Sequence, residues 1–109
     1  MAEPRLDAFQ VIADASRRQI LMLLSKNNLT VNNLAGNFDM SRPAVSKHIK
    51  ILQTTGFISI TDKGRERYCS LKKEGFDALN EWLSYFDQFW GSKLKNLENL
   101  MNDKLKIKN

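Results

Sequence analysis

Six cations stand along residues 41–67 in a pattern suited to nucleic acid: Arg42, Lys47 and Lys50, then Lys63, Arg65 and Arg67. Asp62 and Glu66 are the two anions of that span, a local sum of +4, whereas residues 72–90 carry two cations against four anions. Arginine offers two parallel hydrogen bonds to a guanine edge, and lysine neutralises phosphate as a point charge. Ser41 and Ser46 add short polar groups between the first cations. The implied chemistry is recognition of a double-stranded polyanion. Catalysis has no comparable constellation, because the chain holds one histidine and one cysteine and lacks a nucleophile elbow or a glycine-rich phosphate loop. A transition-metal site needs about three or four converging ligands. His48 and Cys69 fall in different predicted elements, so neither a metal nor a cofactor is expected.

Such donors read DNA only if a helix presents them on one face. Val45, Ile49 and Leu52 recur at four and three residues, which defines a buried stripe. The opposite face then carries Arg42, Ser46, Lys47, Lys50 and Gln53, with Pro43 and Ala44 in the same first turn. Ser41 is the expected N-cap, Pro43 suits a first turn where its missing N–H costs nothing, and Gly56 marks the C-terminal end. Before it, Thr30 can cap a shorter helix with Val31, Leu34, Ala35 and Phe38 on one side, and Asp39-Met40 forms the turn. After it, residues 57–60 and 67–71 have strand character and meet through Asp62-Lys63-Gly64-Arg65, where Gly64 supplies the positive φ of a tight hairpin. Residues 30–71 therefore predict a helix-turn-helix followed by a wing. Arg42 is the candidate base reader, Lys50 points at the strand flank, and the wing cations suit the adjacent minor groove or backbone.

The flanking segments are helical. Leu6, Phe9, Ile12 and Ala13 mark a first helix within residues 5–13. Ser16-x-x-Gln19 resembles a capping box for a second, with Asp14 as a competing cap. Arg17 and Arg18 in the first turn of that helix oppose its dipole. Solvent or a DNA phosphate is their expected partner, and a local stabilising role is not. From residue 73 the apolar positions Phe76, Leu79, Leu83, Phe86, Trp90, Leu94, Leu97 and Met101 follow at spacings of three and four, predicting one long helix over 73–101 with a candidate kink at Gly91. Trp82, Tyr85 and Phe89 widen the stripe. A domain of this size cannot cover so much apolar helix alone. We therefore expect a homodimer built from Leu6, Phe9, Leu79, Trp82, Leu83, Phe86, Phe89, Trp90, Leu94 and Leu97. The tail 102–109 is expected to fray.

At 109 residues and net charge +5, the chain fits a single mainly α domain with a two-stranded β-wing and an anionic partner. No apolar run reaches the ~18 residues of a membrane span. A lone cysteine fits a reducing compartment, and a cytoplasmic protein is expected. Cys69 has two readings, a half-buried thiol or a redox switch beside the wing. His48, next to the buried stripe, reads as a packed, hydrogen-bonded histidine, with a DNA contact or a pH sensor as the alternatives.

Three stretches, LDAFQVIADASRRQILMLL, SRPAVSKHIKILQTTGFI and KGRERYCSL, together resemble the ArsR-type winged-helix repressors of bacteria, over nearly the whole chain from Leu6 to about Met101. The resemblance implies a dimer with element order α-α-α-α-β-β-α, a fourth helix that reads an inverted-repeat operator, and release by an effector. Ser41, Arg42, Ser46, Lys47 and Lys50 match the positions that would touch DNA. Metal-sensing members carry cysteines in the third helix or carboxylate and histidine ligands in the last; here VNNLAGNF has no cysteine and the last helix no histidine. The effector is left open. A winged-helix protein-interaction module and a redox- or small-molecule-responsive regulator are the alternatives.

Overall fold

A computed structural model describes the backbone of residues 6–108 and the side chains of residues 6–91 and 96–102. The elements are α1 (Ala8–Ile12), α2 (Ala15–Leu24), β1 (Leu29–Thr30), α3 (Val31–Ala35), α4 (Arg42–Thr54), β2 (Ile58–Lys63), β3 (Glu66–Leu71), α5 (Lys73–Tyr85) and α6 (Asp87–Lys108). The chain divides into two compact units, Met1–Leu79 and Asn80–Asn109. No helix among the described residues is long and apolar enough to cross a membrane.

Caps set the helix starts. Asp7 and Gln10 form a reciprocal capping box at α1, each side chain accepting the other's backbone N–H at 2.8 Å. Asp14, not Ser16, caps α2 by accepting the Arg17 N–H at 3.1 Å. That bond, with the nearby Arg17 charge, holds the Asp14 carboxyl below its ordinary range. Thr30 caps α3 at 3.0 Å and Ser41 caps α4 at 3.3 Å, as the sequence predicts. Gly56, at φ 84°, ends α4 in the left-handed conformation that glycine adopts without strain.

The core of the first unit joins α1 to α4 and the sheet through Val11, Ile20, Leu21, Leu24, Val31, Leu34, Val45, Ile49, Leu52, Phe57, Ile58 and Cys69. α5 begins by clasping the end of α4. The Gly75 N–H donates to the Gly56 carbonyl at 2.7 Å, and the Phe57 ring meets Phe76 edge-on at 4.9 Å. Gly75 is buried because the Phe57 ring and backbone occupy the space where a side chain would stand.

Several expectations need correction. The wing is not an isolated two-stranded ribbon: β1 adds to it, giving a three-stranded antiparallel sheet in the order β1-β3-β2. Leu29 pairs with Cys69 and Thr30 with Tyr68, so the polar turn after α2 returns as a strand edge. The wing strands also run further than predicted, to a two-residue turn at Gly64-Arg65 with Gly64 at φ 63°. The long last helix is broken at Phe86, where an i→i−3 bond to Leu83 (3.0 Å) replaces the α-helical bond and Asp87 opens a new first turn. Gly91 lies inside α6 without interrupting it. α6 continues to Lys108, so the backbone expected to fray is helical nearly to its end, as its Lys and Leu residues permit.

Arg17 is not solvated, and Arg18, although exposed, is tied back to the end of α1. Arg17 is 9% exposed and donates from Nε to the Val11 carbonyl at 2.7 Å and from Nη2 to the Gln10 carbonyl at 3.1 Å. Arg18 Nη1 donates to the Ile12 carbonyl at 2.7 Å. The acceptors are the orphan carbonyls at the end of α1, which carry partial negative charge. The dipole of α2 opposes these arginines, and the C-terminus of α1 attracts them.

Candidate nucleic-acid interface

The geometry of α4 follows from its stripe. Val45, Ile49 and Leu52 are 0%, 3% and 0% exposed, so the opposite face must stand in solvent. Arg42, Pro43, Lys47, Lys50 and Gln53 are exposed there, with Ala44 and Ser46 half-buried at its margin. Ser41 is exposed, and its hydroxyl oxygen accepts the Ala44 N–H while its own O–H can still donate outward.

The wing comes up beside the start of this helix. Arg42 and Ser46 from α4, Arg65, Glu66 and Arg67 from the wing, and Asn32 from α3 line one cleft of about 280 Å³. A second recess of about 340 Å³ lies against Ser46, Lys50, Gln53 and Arg67. Ser46 and Arg67 border both, so the two form a trough along α4 with cations on either rim. The ten residues of the predicted set are not gathered equally: Ser46 and Arg67 line both hollows, Arg42, Lys50 and Arg65 line one each, and Ser41, Pro43, Ala44, Lys47 and Lys63 lie outside both. Asn32 was not among the predicted contacts; its place in the first turn of the helix before the turn was the available signal.

The wing cations are steadied by their neighbours. Arg67 Nε lies 3.4 Å from Asp62 Oδ1, with both side chains largely exposed, so the pair contributes little and yields readily to a phosphate. Lys63 Nζ stands 5.6 Å from the centroid of the Tyr68 ring. The Tyr68 hydroxyl donates to Glu66 at 2.9 Å, and that bond pushes its pKa upward.

Cys69 is fully buried in β3, flanked by Leu29 and Ile60 on the neighbouring strands. Burial pushes its thiol up, with Arg67 opposing only in part. The thiol is shut from solvent and disfavoured as a thiolate, whereas a redox switch works through an accessible thiolate. Iodoacetamide should label the native protein at least about tenfold more slowly than the urea-unfolded chain at equal pH, by the same thiolate and access argument. Equal rates by mass spectrometry would return Cys69 to the list of sensors. Among the described residues, no three of His, Cys, Asp or Glu converge as a metal site would require.

In the second unit the aromatic residues gather around the break at Phe86. Trp82 and Tyr85 meet Phe86 edge-on at 5.0 and 5.2 Å, and Phe89 meets Trp90 at 4.9 Å. Trp82, Leu83, Phe89, Trp90 and Leu97 are between 51% and 57% exposed, and Phe9 in α1 is 41% exposed. By contrast, Leu6 and Leu79, predicted for the same interface, are half-buried against the core of the first unit. The Leu94 side chain lies outside the described residues.

Comparisons with known proteins agree with this geometry. Residues 14–59 match the family described as bacterial regulatory protein, arsR family. The chain is 36% identical over 95 residues to the HTH-type transcriptional regulator Rv2034 of Mycobacterium tuberculosis, covering 87% of this chain and 86% of that protein. It is 34% identical over 83 residues to the transcriptional repressor SdpR of Bacillus subtilis, covering 75% of this chain and 92% of the repressor. Among solved structures, the crystal structure of an ArsR family transcriptional regulator superposes with a TM-score of 0.69 at 41% identity, over 78% of this chain and 88% of the other.

Proposed function

The chain belongs to the arsR family of bacterial regulatory proteins, and from that premise we propose that it acts in the cytoplasm as a homodimeric repressor of transcription on an inverted-repeat operator. It is a transcriptional regulator with a winged helix-turn-helix DNA-binding domain, not an enzyme. In the proposed complex α4 lies in the major groove, which admits an α-helix, and the wing follows the adjacent minor groove or backbone. One observation carries this reading: the exposed face of α4, opposite its buried stripe, shares a cationic trough with Arg65 and Arg67 of the wing. A two-fold dimer sets two such heads on half-sites about 34–36 Å apart. The half-exposed aromatic residues of the second unit supply the apolar surface for pairing.

Arg42 is the proposed base reader, and Ser41, Pro43, Ala44, Ser46, Lys47, Lys50, Lys63, Arg65 and Arg67 contact phosphate, sugar or the groove edge. Metal sensing through the family's usual ligands is not part of the proposal, since α3 has no cysteine and the last two helices no histidine. Selection of bound duplexes from a random pool, with the protein's mass in solution measured alongside, tests the reading. Recovery of a two-fold-symmetric site by a dimer supports it; salt-dependent binding with no preferred sequence rejects it and favours a protein-interaction module. On the selected site Arg42→Ala should cost about 1–3 kcal/mol and relax discrimination at one base position. Lys50→Ala should instead weaken all sequences alike and lower the salt slope by about one.

A second reading has its own observation. Trp82, Tyr85, Phe86, Phe89 and Trp90 surround a hollow of about 760 Å³, within the range of drug-sized ligand sites. On the dimer reading the partner protomer fills that space; on the alternative a small apolar effector does.

A further inference from the structure

Arg17 brings a third arm to the DNA-reading helix. Beyond its bonds to the Val11 and Gln10 carbonyls, its Nη1 lies 3.3 Å from Nδ1 of His48, across from α2 to α4. A guanidinium only donates and keeps its proton. The contact is therefore a hydrogen bond only while His48 is neutral, with Nδ1 bare and the proton on Nε2. Protonation of His48 removes the acceptor and leaves two cations at hydrogen-bonding distance.

Among the described residues, one carboxylate faces the pair. The charged groups facing His48 from α2, among the described residues, are Arg17 and Asp14. The Asp14 carboxylate is held by the backbone N–H of Arg17 as the cap of α2, so it attracts both cations without replacing the lost bond. From α1 the groups reaching Arg17 are backbone carbonyls, already taken by its other two arms. On α4 itself, Lys47 is exposed and adds a further positive charge beside His48.

We propose that Arg17 is a positioning residue for DNA reading: it braces α4 against α1 and α2 through neutral His48, and protonation of that histidine releases the brace. This rests on the DNA-binding reading given above. Its sign separates it from simple electrostatics. An added positive charge on a DNA-facing helix tightens binding to a polyanion, whereas release of the brace weakens sequence-selective binding. His48 is the chain's only histidine, so His48→Gln leaves the chain without an imidazole.

The test is fluorescence anisotropy with the duplex recovered by selection, at constant ionic strength, from about pH 7.5 to about pH 5.5. Wild-type affinity should fall by about tenfold on acidification, a modest share of what like charges at that distance can cost. His48→Gln keeps an acceptor for Arg17 and never gains charge; it should bind like wild type at the higher pH and lose nothing at the lower. Wild-type binding that is flat or tighter on acidification overturns the proposal, as does an equal loss in His48→Gln. If wild type shows no sequence-selective binding even at the higher pH, the DNA-binding reading fails by itself. The brace is then judged on the DNA-free protein: ¹⁵N shifts of the His48 ring should report the Nε2–H tautomer, and an Nδ1–H tautomer overturns it.

Discussion

Phe89→Glu should turn the dimer into a monomer and cut affinity for the selected operator by at least about 100-fold, the lower end of what joining two binding heads contributes. Phe89 is 51% exposed in the second unit, edge-on to Trp90 and close to the hollow around Phe86. Covering one large apolar side chain stabilises an association by about 1.5–3 kcal/mol, and a two-fold axis counts each residue twice. A glutamate there loses that gain on both protomers and adds two charges that must be desolvated to pair. Among the described residues, the core of the first unit contains none from the second. Each head alone would retain its phosphate contacts, so weak, salt-dependent binding to any duplex should persist. Sedimentation equilibrium gives the mass, anisotropy the affinity, and circular dichroism checks the fold. A folded monomer that binds the operator as tightly as wild type would sink the dimeric reading, and so would a variant that remains dimeric.

Gly75→Ala should destabilise the protein by about 3 kcal/mol, at the upper end of overpacking effects. In most helices the same change helps, since alanine is the better helix former by up to about 1 kcal/mol. Here a Cβ would stand 2.5 Å from Phe57 Cγ, 2.6 Å from Cδ2 and 2.8 Å from the Phe57 backbone nitrogen. The ring is fully buried and edge-on to Phe76, and the backbone of Phe57 is tied to Leu52 and Lys72, so neither can step aside. In a domain of this size a loss of ~3 kcal/mol lowers Tm by on the order of 15 °C. Gly91→Ala is the internal control: among the described residues, nothing lies within 4 Å of its added Cβ. It should stabilise α6 by about 0.5–1 kcal/mol. Thermal melts of the pair should move in opposite directions; a Gly75→Ala melt at or above wild type would mean that the α4–α5 junction is looser than its geometry indicates.

Residues 30–71 were the most legible part of the chain because their signals are local. The Thr30 and Ser41 caps, the Val45/Ile49/Leu52 stripe and the left-handed Gly56 and Gly64 each depend on a few neighbouring residues, and each stands where expected. What escaped depends on distant partners. A two-residue strand at Leu29-Thr30 has no pattern of its own and exists through pairing with Cys69 and Tyr68. The burial of Arg17 required knowing that the carbonyls of α1 end beside it. The break at Phe86 was hidden because apolar spacings of three and four pass through a one-residue turn unchanged; Asp87, an acidic residue at the start of α6, was the overlooked sign. The gathering of Arg42 with Arg65 and Arg67 in one cleft likewise depends on how the hairpin docks, which no local pattern encodes.

Thr30 belongs to two structures at once. Its backbone is a rung of the sheet opposite Tyr68, and its side chain caps α3. Wing and helix-turn-helix are thereby joined at both ends of the hairpin, by β1 on one edge and by the α4–β2 connection on the other. On the proposed docking the head acts as a calliper of fixed opening. A duplex whose groove does not match must itself bend or narrow to fit, at an energy set by the stacking of its base steps. Base pairs lying between the α4 and wing contacts would then be selected for pliancy, although no side chain touches them.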